Sequence, residues 1–241
     1  MKGVILAGGS GTRLAPLTRA QNKHLLEIAG RPMVEYAVEA LETAGVSELM
    51  LVTGEEYAAA FRDVLGDGIA YGYQEAAGGI AEALGLAERY VDRAPCVVML
   101  ADNVLERSIR PFAANFERQR AGARIVLARE SQAEHLCHLG VAELDGHGQV
   151  VSIVEKPEHP PSDLAVTGVY FYDDAVWDVL PTLEPSGRGE LEITDVNNWY
   201  VGQGLMEYDV LEGFWGDAGE SIDAYYAVND FVRANGANHE G

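Results

Sequence analysis

The chain has 241 residues, is 48% hydrophobic, and carries 38 acidic against 17 basic residues, for a formal net charge of −21. That size fits one large α/β domain with an ample core, and no apolar run approaches the roughly eighteen residues that a membrane helix needs. The acidic balance excludes nucleic acid and anionic membrane surfaces as partners, because each would meet repulsion in place of counterion release.

Residues 2–7 (K-G-V-I-L-A) read as a short buried strand that breaks into Gly8, Gly9, Ser10, Gly11, Thr12 and Arg13. Met1-Lys2 leads straight into it without a secretory signal, and Cys96 and Cys137 are isolated from each other, so a soluble, cytoplasmic chain without a disulfide is expected. Glycines lack a Cβ, so successive backbone N–H groups in such a turn can face one anion, and Arg13 adds a planar fork suited to phosphate oxygens. A dinucleotide fingerprint lacks its third glycine here, since Leu14 stands in that place, and no Gly-Lys dipeptide exists to make a Walker A loop. Taken alone, the turn is equally a glycine-rich loop that binds nothing. Of the 17 basic residues only Lys2, Lys23 and Lys156 are lysines. A phosphate ligand would require these few cations, or metal ions, to be concentrated around it.

Met33, Tyr36, Ala37, Ala40 and Leu41 recur at helical spacing, predicting a helix over residues 31–44 with Pro32 in its first turn and Gly45 past its end. A strand over 48–53, a helix over 57–65, a strand over 69–73, a helix over 80–90 and a strand over 96–101 follow. This alternation predicts an α/β fold of βαβ units: a mixed, mainly parallel, Rossmann-like sheet with helices on both faces and its site at the C-terminal ends of the strands. At the end of the third strand stands Gln74, whose amide donates and accepts together and so suits the edge of a base, with Gly79 nearby. A polar loop before a helix is locally as good an account. Asp102 and Asn103 end the fourth strand, where a carboxylate suits Mg²⁺ on phosphates, or equally a turn or cap.

Beyond Asn103 the pattern changes. A helix over 109–120 leads to strands over 124–128, 140–144, 150–154 and 165–172 with few helices between them. They are expected to extend the sheet and build a second lobe within a single domain, since no linker or repeat marks a boundary. Glu155 and Lys156 set an acceptor for hydroxyls beside a cation at the mouth of a strand that Pro157 ends; read alone, they are an exposed ion pair. His135 and His138 have i, i+3 spacing but no further ligands, and read as a loop beside Cys137. A helix over 221–234 and a frayed polar tail over 235–241 close the chain.

The stretches L-A-G-G-S-G-T-R-L, N-K-H-L-L, G-R-P-M, Q-E-A-A-G-G-I-A-E-A, L-A-D-N, G-V-A-E, E-K-P, A-V-T-G-V-Y-F-Y, R-G-E-L-E-I-T-D and W-G-D-A-G occur in this order. They resemble the motifs of the sugar-1-phosphate nucleotidylyltransferases, most closely the glucose-1-phosphate thymidylyltransferases, across nearly the whole chain. Four positions depart from that pattern: Glu27 for proline, Glu82 for glutamine, Ala101 for glycine and Glu220 for threonine.

The resemblance implies that Leu6, Ala7, Gly8, Gly9, Gly11, Thr12 and Arg13 bind the nucleotide, with Gln74 and Gly79 at the base and Asp102 at the phosphates. It implies that Asn103, Gly140, Glu155, Lys156, Thr167 and Tyr170 line a sugar-phosphate pocket, and that Asp102 and Asp217 hold Mg²⁺. The implied reaction joins a nucleoside triphosphate, dTTP before UTP, to a sugar-1-phosphate and releases pyrophosphate, with Arg13, Lys23, Asp102, Lys156 and Asp217 as the catalytic set. A non-catalytic nucleotide-sugar sensor would be expected to lack Asp102, Arg13 or Lys23, and a dinucleotide-dependent oxidoreductase is disfavoured by the missing glycine. Longer relatives add helices that build a regulatory site, so one nucleotide-sugar site per chain, and a homodimer rather than a tetramer, is the expectation here.

Overall fold

A computed structural model of the chain describes residues 1–9, 11–76, 78–119 and 121–240. The first half contributes β1 (Lys2–Ala7), β2 (Glu27–Ile28), β3 (Arg31–Pro32), α1 (Met33–Thr43), β4 (Leu49–Gly54), α2 (Ala58–Leu65), β5 (Ala70–Gln74), α3 (Ile80–Gly85), α4 (Glu88–Val91) and β6 (Cys96–Leu100). The second half adds β7 (Asn103–Leu105), α5 (Arg110–Arg118), β8 (Ala123–Arg129), α6 (Ala133–Leu136), β9 (Gly140–Leu144), β10 (Val150–Glu155) and β11 (Leu164–Tyr172). It closes with α7 (Val176–Val179), α8 (Ile193–Gly202), β12 (Met206–Val210), β13 (Trp215–Asp217) and α9 (Ile222–Asn235).

Nine strands form one mixed sheet in the order β10-β9-β11-β6-β1-β4-β5, with β8 paired to β11 and β12 to β8. The pairs β6-β1, β1-β4 and β4-β5 are parallel, as βαβ connections demand, whereas β11 runs antiparallel to β6, β8 and β9. Side chains alternate across this sheet. Val4, Leu6, Cys96 and Val98 meet α3, α4, α7 and α8 on one face, while Ile5, Ala7, Val97 and Met99 meet α1, α2 and α5 on the other. A smaller cluster around Leu14, Ile28, Met33, Tyr36 and Val228 seats α9 on the β2-β3 hairpin. No helix among the described residues is long and apolar enough to cross a membrane.

Several boundaries differ from the sequence-based expectation. Arg31 and Pro32 pair with Glu27 and Ile28 as an antiparallel hairpin, so α1 starts at Met33. The helix expected over 80–90 is two helices, broken at Leu86-Ala87. The strands β12 and β13 and the helix α8 had no sequence-based counterpart. The tail is tied down, because Asn238 N–H donates to Leu105 O at 2.9 Å, His239 N–H donates to Glu106 O at 2.8 Å, and Ser108 N–H donates to His239 O at 2.9 Å.

Candidate active site

The topology sets the site. β1, β5 and β6 end on the same edge of the sheet and deliver Gly8, Gln74 and Asp102 there, while β11 enters antiparallel and brings its first half, Val166 and Gly168, to that edge. These residues line one cleft of about 320 Å³, together with Gly9, Arg13, Lys23, Gly79, Gly140, Glu155, Lys156, Tyr170 and Asp217.

Asp102 and Asp217 face each other across the β7-β13 ladder, in which Asp217 pairs with Asn103, and Ala218 N–H donates to Asp102 O at 2.9 Å. Oδ2 of Asp102 accepts from Lys23 Nζ at 2.5 Å, and Oδ1 accepts from Asn103 Nδ2 at 3.1 Å. Asp217 Oδ1 accepts from Gly219 N–H at 2.8 Å. Burial opposes ionisation of Asp102, but the charge of Lys23 and then His24 hold its carboxyl well below the usual carboxylate range. Asp217 has no such contact. Burial, and then the charge of Asp102, push its carboxyl up to about 7. Burial also lowers the His24 pKa, which keeps that ring neutral beside Asn22, with Nδ1 2.8 Å from Asn22 Oδ1.

The charged side chains lining the cleft are the cations Arg13, Lys23, Lys156 and Arg188 and the anions Asp102, Asp217, Glu155, Glu190 and Glu192. The anions outnumber the cations by one, so a phosphate ligand calls for further positive charge. Two buried carboxylates side by side are hard oxygen donors, the set that suits Mg²⁺ when phosphates and water complete its shell. Among the described residues no group of three or more His, Cys, Asp or Glu forms a self-sufficient metal centre, so an ion here would be shared with a ligand.

The facing wall is a network. Glu155 Oε2 accepts from Thr194 Oγ1 at 2.7 Å, and its Oε1 lies 3.3 Å from Arg188 Nη2 and 3.4 Å from Lys156 Nζ. Arg188 also donates to Glu192 Oε2 at 2.8 Å. Lys156 sits at φ 46°, an unusual conformation for a side-chain-bearing residue, with its N–H held by Leu139 O at 2.9 Å. Arg188, Thr194 and His24 had no sequence-based role; each lies next to an expected residue only through long-range folding.

Not every expected residue reaches the cleft. Thr167 is buried on the opposite face of β11, where its Oγ1 donates to Val126 O at 2.9 Å, and its neighbours Val166 and Gly168 line the cleft instead. Ala7 is fully buried, with its carbonyl accepting from Thr53 Oγ1 at 3.1 Å. Gly11 and Thr12 lie outside the cleft wall: Gly11, at φ 62°, holds Thr18 Oγ1 on its carbonyl at 2.8 Å, and Thr12 is exposed at the start of a 3-10 turn. Asn103 has a structural task as well, since its Oδ1 accepts from Gly168 N–H at 2.8 Å and from Trp215 Nε1 at 2.7 Å. Gly79, at φ 103°, has no room for a Cβ against the Leu191 carbonyl. Ser10 lies outside the described residues.

The family model described as nucleotidyl transferase matches residues 2–235. A glucose-1-phosphate thymidylyltransferase of an Actinoplanes species is 39% identical, covering 97% of this chain and 78% of that protein. A second, from Neisseria meningitidis, is 38% identical over 95% of this chain and 82% of its own length. The low-salt glycan biosynthesis nucleotidyltransferase Agl11 of Haloferax volcanii is 38% identical over 92% of this chain, and the match spans 64% of that relative's length. Among solved structures, a Bacillus anthracis chain assigned as a glucose-1-phosphate thymidylyltransferase, in complex with sucrose, superposes with a TM-score of 0.91 at 40% identity. It covers 97% of this chain and 95% of that one.

Proposed function

Because the chain belongs to the nucleotidyl transferase family, we propose that it transfers a nucleotidyl group from a nucleoside triphosphate, dTTP before UTP, to glucose-1-phosphate and releases pyrophosphate. The observation that carries this proposal is the meeting in one cleft of the Gly8-Gly9 turn, Arg13, Lys23 and the Asp102–Asp217 pair, with Glu155 and Lys156 on the facing wall.

The second pKa of a sugar phosphate lies near ~6, so its attacking oxygen is already ionised at neutral pH and needs no general base. The task of the protein is therefore positioning and charge neutralisation. Arg13 and the backbone of Gly8 and Gly9 receive the β- and γ-phosphates. Lys23 serves the α-phosphate on which charge shifts, and Lys156 guides the incoming sugar phosphate. Glu155, held by Thr194 and Arg188, keeps one carboxylate edge for sugar hydroxyls. Asp102 and Asp217 hold Mg²⁺, which when bound neutralises phosphate charge and favours departure of pyrophosphate.

Incubation of the protein with each of dTTP, UTP, GTP and ATP, glucose-1-phosphate and Mg²⁺ tests this. Nucleotide sugar and pyrophosphate in equal amounts, fastest with dTTP, is the expected result; a preference for ATP or GTP would overturn the base assignment, and no product with any of the four would overturn the substrate pair.

A further inference from the structure

Gln74 and Glu82 are joined more tightly than a base-reading amide requires. Gln74 is 8% exposed at the end of β5, and its Nε2 donates to Glu82 Oε2 at 2.6 Å. The second proton of that Nε2 points toward the carbonyl of Gly79, a long contact of 3.4 Å. Both donor positions of the amide are therefore engaged. Its Oε1 turns to the cleft beside Gly8, where a Cβ on that glycine would stand 3.0 Å from it, and no described residue donates to it. Glu82 is itself confined, because its carboxylate occupies the space that a side chain at Gly78 would fill.

An ionised carboxylate has only lone pairs to offer. A neighbouring amide must present its NH₂ to it, and the reverse orientation would set carbonyl oxygen against carboxylate oxygen. A glutamine in place of Glu82 would lack this polarity, since either end of its amide could face Gln74. We infer that Glu82 is a positioning residue which fixes the Gln74 amide with its oxygen toward the cleft, so that the site selects nucleotides whose base carries a ring N–H on its pairing edge: thymine, uracil and guanine against cytosine and adenine. A base with a bare ring nitrogen there would bring lone pair against lone pair in a nearly buried position. The inference rests on the nucleotidyl-transfer reading given above, in which Gln74 meets the base.

The probe pair dTTP and 5-methyl-dCTP isolates the effect, because both carry the C5 methyl and they differ only at ring position 3 and the group on C4. Calorimetric binding should favour dTTP by at least ~30-fold in the unmodified protein. In Glu82→Gln the ratio should fall to about fivefold or less, through tighter binding of 5-methyl-dCTP, as Gln74 becomes free to turn over. Gln74→Met should also flatten the ratio, but through weaker binding of dTTP. A merely structural role for Glu82 would weaken both nucleotides in parallel and leave the ratio unchanged. An unchanged ratio in Glu82→Gln, or equal binding of the pair by the unmodified protein, would overturn the inference while dTTP binding left the functional reading standing. Binding of neither nucleotide would overturn that reading and the inference with it.

Discussion

Nζ of Lys23 lies 2.5 Å from Oδ2 of Asp102, and the two side chains are only 16% and 9% exposed. Each neutralises the other where solvent cannot. Removing one partner of such a pair strands a buried charge and costs about 3–5 kcal/mol. Lys23→Ala should therefore unfold at lower denaturant than the unmodified protein, and Mg²⁺ should restore part of the loss by taking over the charge beside Asp102. Denaturation curves with and without Mg²⁺ check this. A Lys23→Ala protein as stable as the original, or one insensitive to Mg²⁺, would contradict it.

Gly219 closes the same site from the other side. A Cβ there would stand 2.5 Å from Asp102 Oδ2 and 2.7 Å from Lys23 Nζ, and neither atom is free to yield because each holds the other. Gly219→Ala should lower kcat at least ~10-fold, with a melting temperature close to that of the unmodified protein. An unimpaired kcat would mean that Lys23 and Asp102 reposition at no cost to the reaction.

His135 ties two distant segments together. Its Nδ1 is 2.5 Å from Glu130 Oε2, and its Nε2 is 2.5 Å from Glu220 Oε2, so one ring bridges α6 to the turn that follows Asp217. The hydrogen bond to Glu220 raises its pKa to about 9, and Glu130 adds to the effect while burial opposes it. The folded protein thus binds this proton more tightly than the unfolded chain, whose histidine titrates near its ordinary value of 6.5. The stabilisation is complete below about pH 6.5 and is lost as pH rises through about 9. The melting temperatures of the unmodified protein and His135→Gln should differ most at pH 6 and converge toward pH 10; a gap independent of pH would show that the bridge works without the charge.

Much of the first half was legible because its strands are short apolar runs between clear helical periods. The glycine turn, Gln74 and Asp102 could then be placed on one edge by the rule that parallel strands share a direction. The second half resisted for physical reasons. β12 reads Met-Glu-Tyr-Asp-Val, a poor strand by propensity, and forms because Asp209 finds Arg124 at 2.8 Å and Asn115 at 2.7 Å. Thr167 was expected in the pocket, but β11 shifts register against β8 between Val166 and Tyr170, which no local pattern announces. His135 looked like a loop histidine because the second of its carboxylate partners, Glu220, lies 85 residues away. The Glu82 departure was visible as a letter, but its consequence for Gln74 required the fold.

The two site lysines should separate kinetically. Lys156→Ala should raise KM for the sugar phosphate with little change in kcat, because its partner is a charge already present in the ground state. Lys23→Ala should chiefly lower kcat, since it serves charge that shifts in the transition state. Steady-state kinetics with either substrate varied would reveal the reverse pattern if the roles were exchanged.

Everything proposed for the cleft depends on Asp102 and Asp217 acting together on phosphate charge. The direct measurement is the rate of nucleotide-sugar formation from dTTP and glucose-1-phosphate by the unmodified protein, Asp102→Asn and Asp217→Asn at saturating Mg²⁺, with melting curves to establish that each variant is folded. Each folded variant should lose at least ~100-fold in turnover, about 2.7 kcal/mol of transition-state stabilisation; a folded variant turning over at near the original rate would remove its aspartate from the chemistry and contradict the site described here.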